Sequence, residues 1–168
     1  MSDHPYPHRH SFEYHIPAVP GLQGEAGRNM AVRLAGTALP SIMDGLAEAY
    51  QSPDDQLYFR DGFWTMVLAL GLKHAHASQP LPLIPDDPNR VDYWQRMIED
   101  LRRDDTAWGS LAGEIIEANR RLFSAVLQTT HDQLPDHEGP FFTDGMIAGY
   151  LVITEAASVQ KALNSLLS

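Results

Sequence analysis

The sequence predicts an all-α fold: a pseudo-two-fold helical bundle of about five main helices, made from a duplicated helical hairpin and preceded by an extended N-terminal arm. Three observations predict it. Apolar residues recur every four positions over long stretches, the helical period. The run Phe63–Leu72 (FWTMVLALGL) is apolar on all sides, as a fully buried core element is. Finally, the chain is similar to itself at a shift of 77 residues.

Residues 1–22 (MSDHPYPHRHSFEYHIPAVPGL) form the arm. Prolines at 5, 7, 17 and 20 bias their neighbours toward extended geometry. Phe12, Tyr14 and Ile16 alternate with polar residues at period two, the pattern of a half-buried strand. An arm this apolar needs a surface to lie on, so these three residues are the candidate interface with the chain's own body or with a second subunit. Residues 23–168 then read as one helical domain, with repeat 1 at about 28–79, a connector helix at 88–103 and repeat 2 at about 106–162.

In repeat 1, Met30, Leu34, Ala38, Ile42, Leu46 and Tyr50 mark an apolar stripe over 27–50, which Pro40 should kink or split. Length favours a core helix over 63–72, with a strand over Thr65–Leu70 as the alternative. The proline-rich stretch 79–87 is a loop. Asp87-Pro88 opens the connector as N-cap and first helical residue. Asp104, Asp105 and Thr106 can cap the next helix, which turns Trp108, Leu111 and Ile115 inward, and a last apolar helix covers about 146–166.

The duplication places Leu34-Ala35-Gly36 on Leu111-Ala112-Gly113, Gln51 on Gln128 and Asp55-Gln56-Leu57 on Asp132-Gln133-Leu134. Seven of the 24 positions from 34 to 57 are identical, where ordinary composition gives about one or two. After an insertion at 135–140, Phe59-Arg60-Asp61-Gly62 falls on Phe142-Thr143-Asp144-Gly145. Asp-Gly reads as a helix start here, with Asp61 and Asp144 as N-caps and Phe59 and Phe142 packing back as staples. The functional reading of the same pair is a shared ligand or cation, with His131 from the intervening loop lining the same mouth. Asp61, His131 and Asp144 are therefore the candidate ligand-binding residues. Gly71 with Ala69, and Gly149 with Ala148, would let the hydrophobic helices approach closely.

Composition narrows the function classes. Twelve Lys and Arg against 22 Asp and Glu give a net charge of −10, which repels nucleic acid and anionic lipid. With no cysteine there are no thiolate metal sites, Cys nucleophiles or disulfides. The N-terminus lacks a signal-peptide layout and no apolar run reaches membrane-spanning length, so a cytoplasmic protein is expected. Neither a Gly-x-Ser-x-Gly elbow nor a phosphate loop occurs. No catalytic residue is assigned, and the reading leans away from an enzyme. Eight histidines raise metal binding, with His8, His10, His74 and His76 as weak candidates. Each pair is His-x-His, which converges on a strand and diverges on a helix. The formers Lys73, Ala75 and Ala77 predict that helix continues through about residue 76, with no shared ligand. No cofactor is expected otherwise. Glu114 and Glu117 are read as solvated partners of Arg120 and Arg121.

Glu25-Ala-Gly-Arg28-Asn-Met30-Ala-Val-Arg33-Leu34 resembles a helix segment in the small D subunit of bacterial cellulose synthase complexes. The resemblance covers ten of the 168 residues and implies an oligomeric accessory protein. The lack of a catalytic constellation and the apolar arm at Phe12, Tyr14 and Ile16 set the expected function: non-catalytic binding or assembly, as an adaptor or accessory homo-oligomer joined through the N-terminal arm, with another protein as a further possible partner. The alternative is a small helical enzyme, or a cofactor- or metal-binding protein, with its pocket between the two hairpins.

Overall fold

The computed structural model describes residues 25–76, 96, 98–100, 102–124 and 139–167. Helices account for nearly all of them, and no strand occurs among them. Five helices carry the description: α1 (Glu25–Ala35), α2 (Leu39–Ala47), α3 (Pro53–His76), α4 (Asp105–Ala118) and α5 (Gly139–Leu167). Residues 98–100, 102–103 and 120–124 are also helical.

Proline decides where the first stripe divides. α1 buries Gly27, Met30, Ala31 and Leu34, a single face at helical spacing. Its last turn closes on Thr37, whose hydroxyl donates to the Leu34 carbonyl at 2.6 Å and accepts from the Leu39 N–H at 3.2 Å. Pro40 then falls in the first turn of α2, where a missing N–H leaves no bond unmade. α2 buries Leu39, Ile42, Met43, Leu46 and Ala47. The stripe is therefore split by Pro40 rather than kinked.

α3 begins at Pro53, with Asp54 and Asp55 in its first turn, where carboxylates favour the helix dipole. Every residue from Asp61 to Gly71 is buried. The Thr65–Leu70 alternative is settled as helix, and α3 continues through His76 as side-chain propensity predicts. α1 and α2 both pack on α3 and touch each other, while α5 covers α3 most extensively. Asp104 caps α4 as expected, its carboxylate accepting from Thr106 N–H at 3.0 Å and Ala107 N–H at 3.1 Å. Glu117 and Arg120 pair on the solvent side, one guanidinium nitrogen donating to both carboxylate oxygens at 2.9 Å.

The Asp-Gly dipeptides correct the sequence reading. Asp61 and Asp144 do not cap helices, and Phe59 and Phe142 are not staples, because α3 starts at Pro53 and α5 at Gly139. Gly62 and Gly145 lie inside these helices at the point where they cross. A β-carbon on Gly62 would collide with the Phe142 carbonyl oxygen and stand 3.1 Å from Met146 N. One on Gly145 would collide with the Phe59 carbonyl oxygen and stand 2.8 Å from Phe63 N. Each glycine thus lies against the carbonyl of the residue three before the other. Gly149 extends the contact, with Phe63 O at 2.8 Å from its virtual β-carbon. Contacts advance along both helices together, so α3 and α5 run in the same sense where they cross. Gly71 serves a different neighbour than expected: its virtual β-carbon meets Met30 Sδ of α1 at 2.9 Å.

The two copies of Leu-Ala-Gly are not structurally alike. Leu34-Ala35-Gly36 ends α1, whereas Leu111-Ala112-Gly113 lies in the middle of α4. Downstream chemistry explains this, since Pro40 follows the first copy and Glu117 occupies the aligned position after the second.

Candidate functional site

Asp144 is the centre of a polar cluster that joins three segments of the chain. It sits on α5, one residue before the crossing glycine, and is half-buried. Its Oδ2 accepts from the Tyr50 hydroxyl at 3.2 Å, and its Oδ1 accepts from Trp108 Nε1 at 3.1 Å. Tyr50 stands in the turn between α2 and α3, and Trp108 lies on α4. One carboxylate therefore ties together three segments that are distant in sequence.

An aromatic wall flanks it. The Tyr50 ring lies 5.2 Å from Phe59 and 5.3 Å from Phe141, the latter edge-on. The Arg102 guanidinium lies over the Tyr50 ring at 4.5 Å and over Phe59 at 5.3 Å, within cation–π range. Gln56 Nε2 donates to the Tyr50 carbonyl at 2.8 Å and fixes the turn itself. The Tyr50 hydroxyl is held well above the ordinary tyrosine range, first by burial and then by the negative charge of Asp144, against a smaller opposing effect of Arg102. It remains a protonated donor through the neutral range. A second charged contact joins α2 to α3, where Arg60 Nε meets Asp44 Oδ1 at 2.9 Å.

Asp61, the sequence counterpart of Asp144, lies on α3 at 2% exposure. The two aspartates each precede a crossing glycine, yet their surroundings differ: one is enclosed in the core and the other faces the Tyr50–Trp108 donors. His131 lies outside the described residues, as do Phe12, Tyr14, Ile16, His8 and His10. His74 and His76 are in the last turn of α3, and positions two apart on a helix lie about 200° apart around its axis. No group of three or more His, Asp or Glu suited to a metal ion occurs among the described residues. Likewise, no described helix is long and apolar enough to cross a membrane.

Sequence reasoning identified Asp144 but missed its partners. Tyr50 counted as the end of an apolar stripe and Trp108 as core, and Arg102 carried no signal. The clue was chemical: the Tyr hydroxyl and Trp N–H require acceptors when their rings are buried. Trp64, at 1% exposure, is a core residue as read.

Compared with known protein families, with curated proteins and with solved structures, the chain matches none.

Proposed function

We propose that the chain is a non-catalytic binding or assembly protein, an adaptor or accessory subunit that acts as a homo-oligomer through its N-terminal arm. The glycine crossing carries this reading. A substrate pocket between two hairpins needs space where their long helices meet, and at Gly62 and Gly145 the backbones are in direct contact. The reciprocal contact also supports descent of the two halves from one duplicated helical unit within a bundle. Gly62 meets Phe142 and Met146, and Gly145 meets their sequence counterparts Phe59 and Phe63. A rigid joint of this kind suits a scaffold that presents surfaces.

Light scattering coupled to size exclusion tests the assembly claim on the full chain and on residues 23–168. The expected result is an oligomer for the full chain and a smaller species for the truncation. A monomer in both forms overturns the reading.

One observation favours a second reading, a small helical enzyme or cofactor binder. Asp144, Tyr50, Trp108 and Arg102 gather polar groups against aromatic rings, the kind of lining that ligand sites use. Elemental analysis of untagged protein separates the two: stoichiometric metal raises the second reading above the first.

A further inference from the structure

The guanidinium of Arg102 is unfinished. Its Nη1 is enclosed and has no hydrogen-bond acceptor among the described residues. None of the described carboxylates forms an ion pair with it. Asp144, the acid of the same cluster, is engaged by Tyr50 and Trp108 instead. The Tyr50 and Phe59 rings meanwhile lie 4.5 and 5.3 Å from the guanidinium carbon. A ring face gives the Nη1 donors no acceptor, and a guanidinium edge matches the two oxygens of a carboxylate or phosphate. Enclosed charged donors without acceptors are unusual in folded proteins and point to a missing partner.

We propose that Arg102 is the receptor for an oxyanion group, a carboxylate or a phosphate, seated on the guanidinium edge beside Tyr50. The residue as a whole keeps partial exposure, so in this proposal a small shift of the side chain opens the enclosed Nη1 to an anion from solvent. Asp144 opposes the incoming charge, and its two hydrogen bonds to neutral donors disperse its own. The site discriminates by geometry: a planar fork accepts two oxygens in line, and a spherical halide supplies only one contact point. This inference does not depend on self-assembly.

The test uses the full chain, titrated with sodium phosphate or sodium acetate against sodium chloride at matched ionic strength. The readouts are the thermal midpoint and the arginine Nε–Hε signals in nitrogen-15 spectra. The expected result is a saturable rise in midpoint above chloride, together with a shift of the Arg102 signal. Arg102→Lys keeps the charge and loses the fork, so its apparent affinity should fall about tenfold or more. Arg102→Gln should abolish the response, and Arg121→Lys, at an exposed position outside the cluster, should leave it intact. Response to both anions assigns a general oxyanion site, and response to one assigns that class. The proposal is overturned by no response beyond chloride, by an undiminished response in Arg102→Lys, or by loss of response in Arg121→Lys. Should Arg102→Gln fail to fold, Arg102→Lys and the wild-type signal decide.

Discussion

Gly62 and Gly145 occupy the same environment; Asp61 and Asp144, one residue earlier, do not. Each glycine is pressed against a phenylalanine carbonyl of the opposite helix, Gly62 against Phe142 and Gly145 against Phe59. Asp61 is enclosed in the core, while Asp144 is half-buried and accepts from Tyr50 and Trp108. Backbone packing at the crossing depends only on the two helices that cross, so identical dipeptides give identical contacts. A carboxylate depends on whatever third element arrives beside it. Tyr50 and Trp108 arrive beside Asp144 from the α2–α3 turn and from α4.

The glycine half of this comparison predicts the largest effects. Gly62→Ala and Gly145→Ala must move helix backbones apart, because the atoms in the way are main-chain and cannot rotate aside. Each should destabilise by about 3 kcal/mol or more, at or beyond the usual range for overpacking. The two losses should agree within about 1 kcal/mol if the environments match, since no other term in that range separates them. Gly71→Ala should cost less, since Met30 Sδ is the flexible part of a side chain. Gly109→Ala and Gly113→Ala meet nothing within 4 Å and should stabilise α4 by about 0.5–1 kcal/mol each. Denaturant midpoints at constant slope measure the whole series. A Gly62→Ala variant as stable as wild type would break the crossing.

The aspartate half predicts the next effects. Asp144→Ala leaves the Tyr50 and Trp108 donors without their acceptor, for a loss of about 2–3 kcal/mol. Tyr50→Phe should cost about 1 kcal/mol. The double variant should cost less than the sum, because the two changes remove the same bond. Additive losses would show that the hydrogen bond contributes nothing.

The same bond predicts a pH dependence confined to alkali. Tyr50 has a raised folded-state pKa, caused first by burial and then by Asp144. Below the unfolded tyrosine value of about 10 both states hold the proton, and the shift leaves stability unchanged with pH. Above it the unfolded chain releases the proton and the folded one retains it, so stability falls by about 1.4 kcal/mol per pH unit. Unfolding measured between pH 9 and 11.5 should show this slope in wild type and lose about one proton's worth of it in Tyr50→Phe. Equal slopes in the two proteins would remove Tyr50 from the alkaline transition.

What the sequence made legible follows the same division. Periodicity reports which face a helix buries, so α1, α2 and the core run of α3 were readable, as was the break at Pro40. Asp104 was readable as a cap because capping is local. The Asp-Gly pairs misled for a physical reason: glycine in a sequence suggests a break, and only a neighbouring backbone reveals that it is needed for close approach. Arg102 and Trp108 were illegible as site residues, since a cation over a ring and an indole on a distant carboxylate are properties of tertiary contact alone.

Charged pairs give the smallest effects, and they sharpen the comparison by separating contacts between elements from contacts within one. Arg60–Asp44 joins α3 to α2, with side chains 27% and 46% exposed. Arg120–Glu117 spans three residues, with side chains 72% and 69% exposed. Water screens both, but the first is less exposed and holds two helices together, whereas the second orders two long side chains for a local contact. Asp44→Asn should therefore cost at most about 1 kcal/mol, and Glu117→Gln less than about 0.5 kcal/mol. Raising salt to about 1 M shortens the screening length to about 3 Å. That should erase the Glu117 effect and leave part of the Asp44 effect, because salt screens the less exposed pair less. Denaturant midpoints at low and high salt measure the difference. Equal salt sensitivity in the two variants would mean that the α2–α3 pair behaves as a purely surface contact.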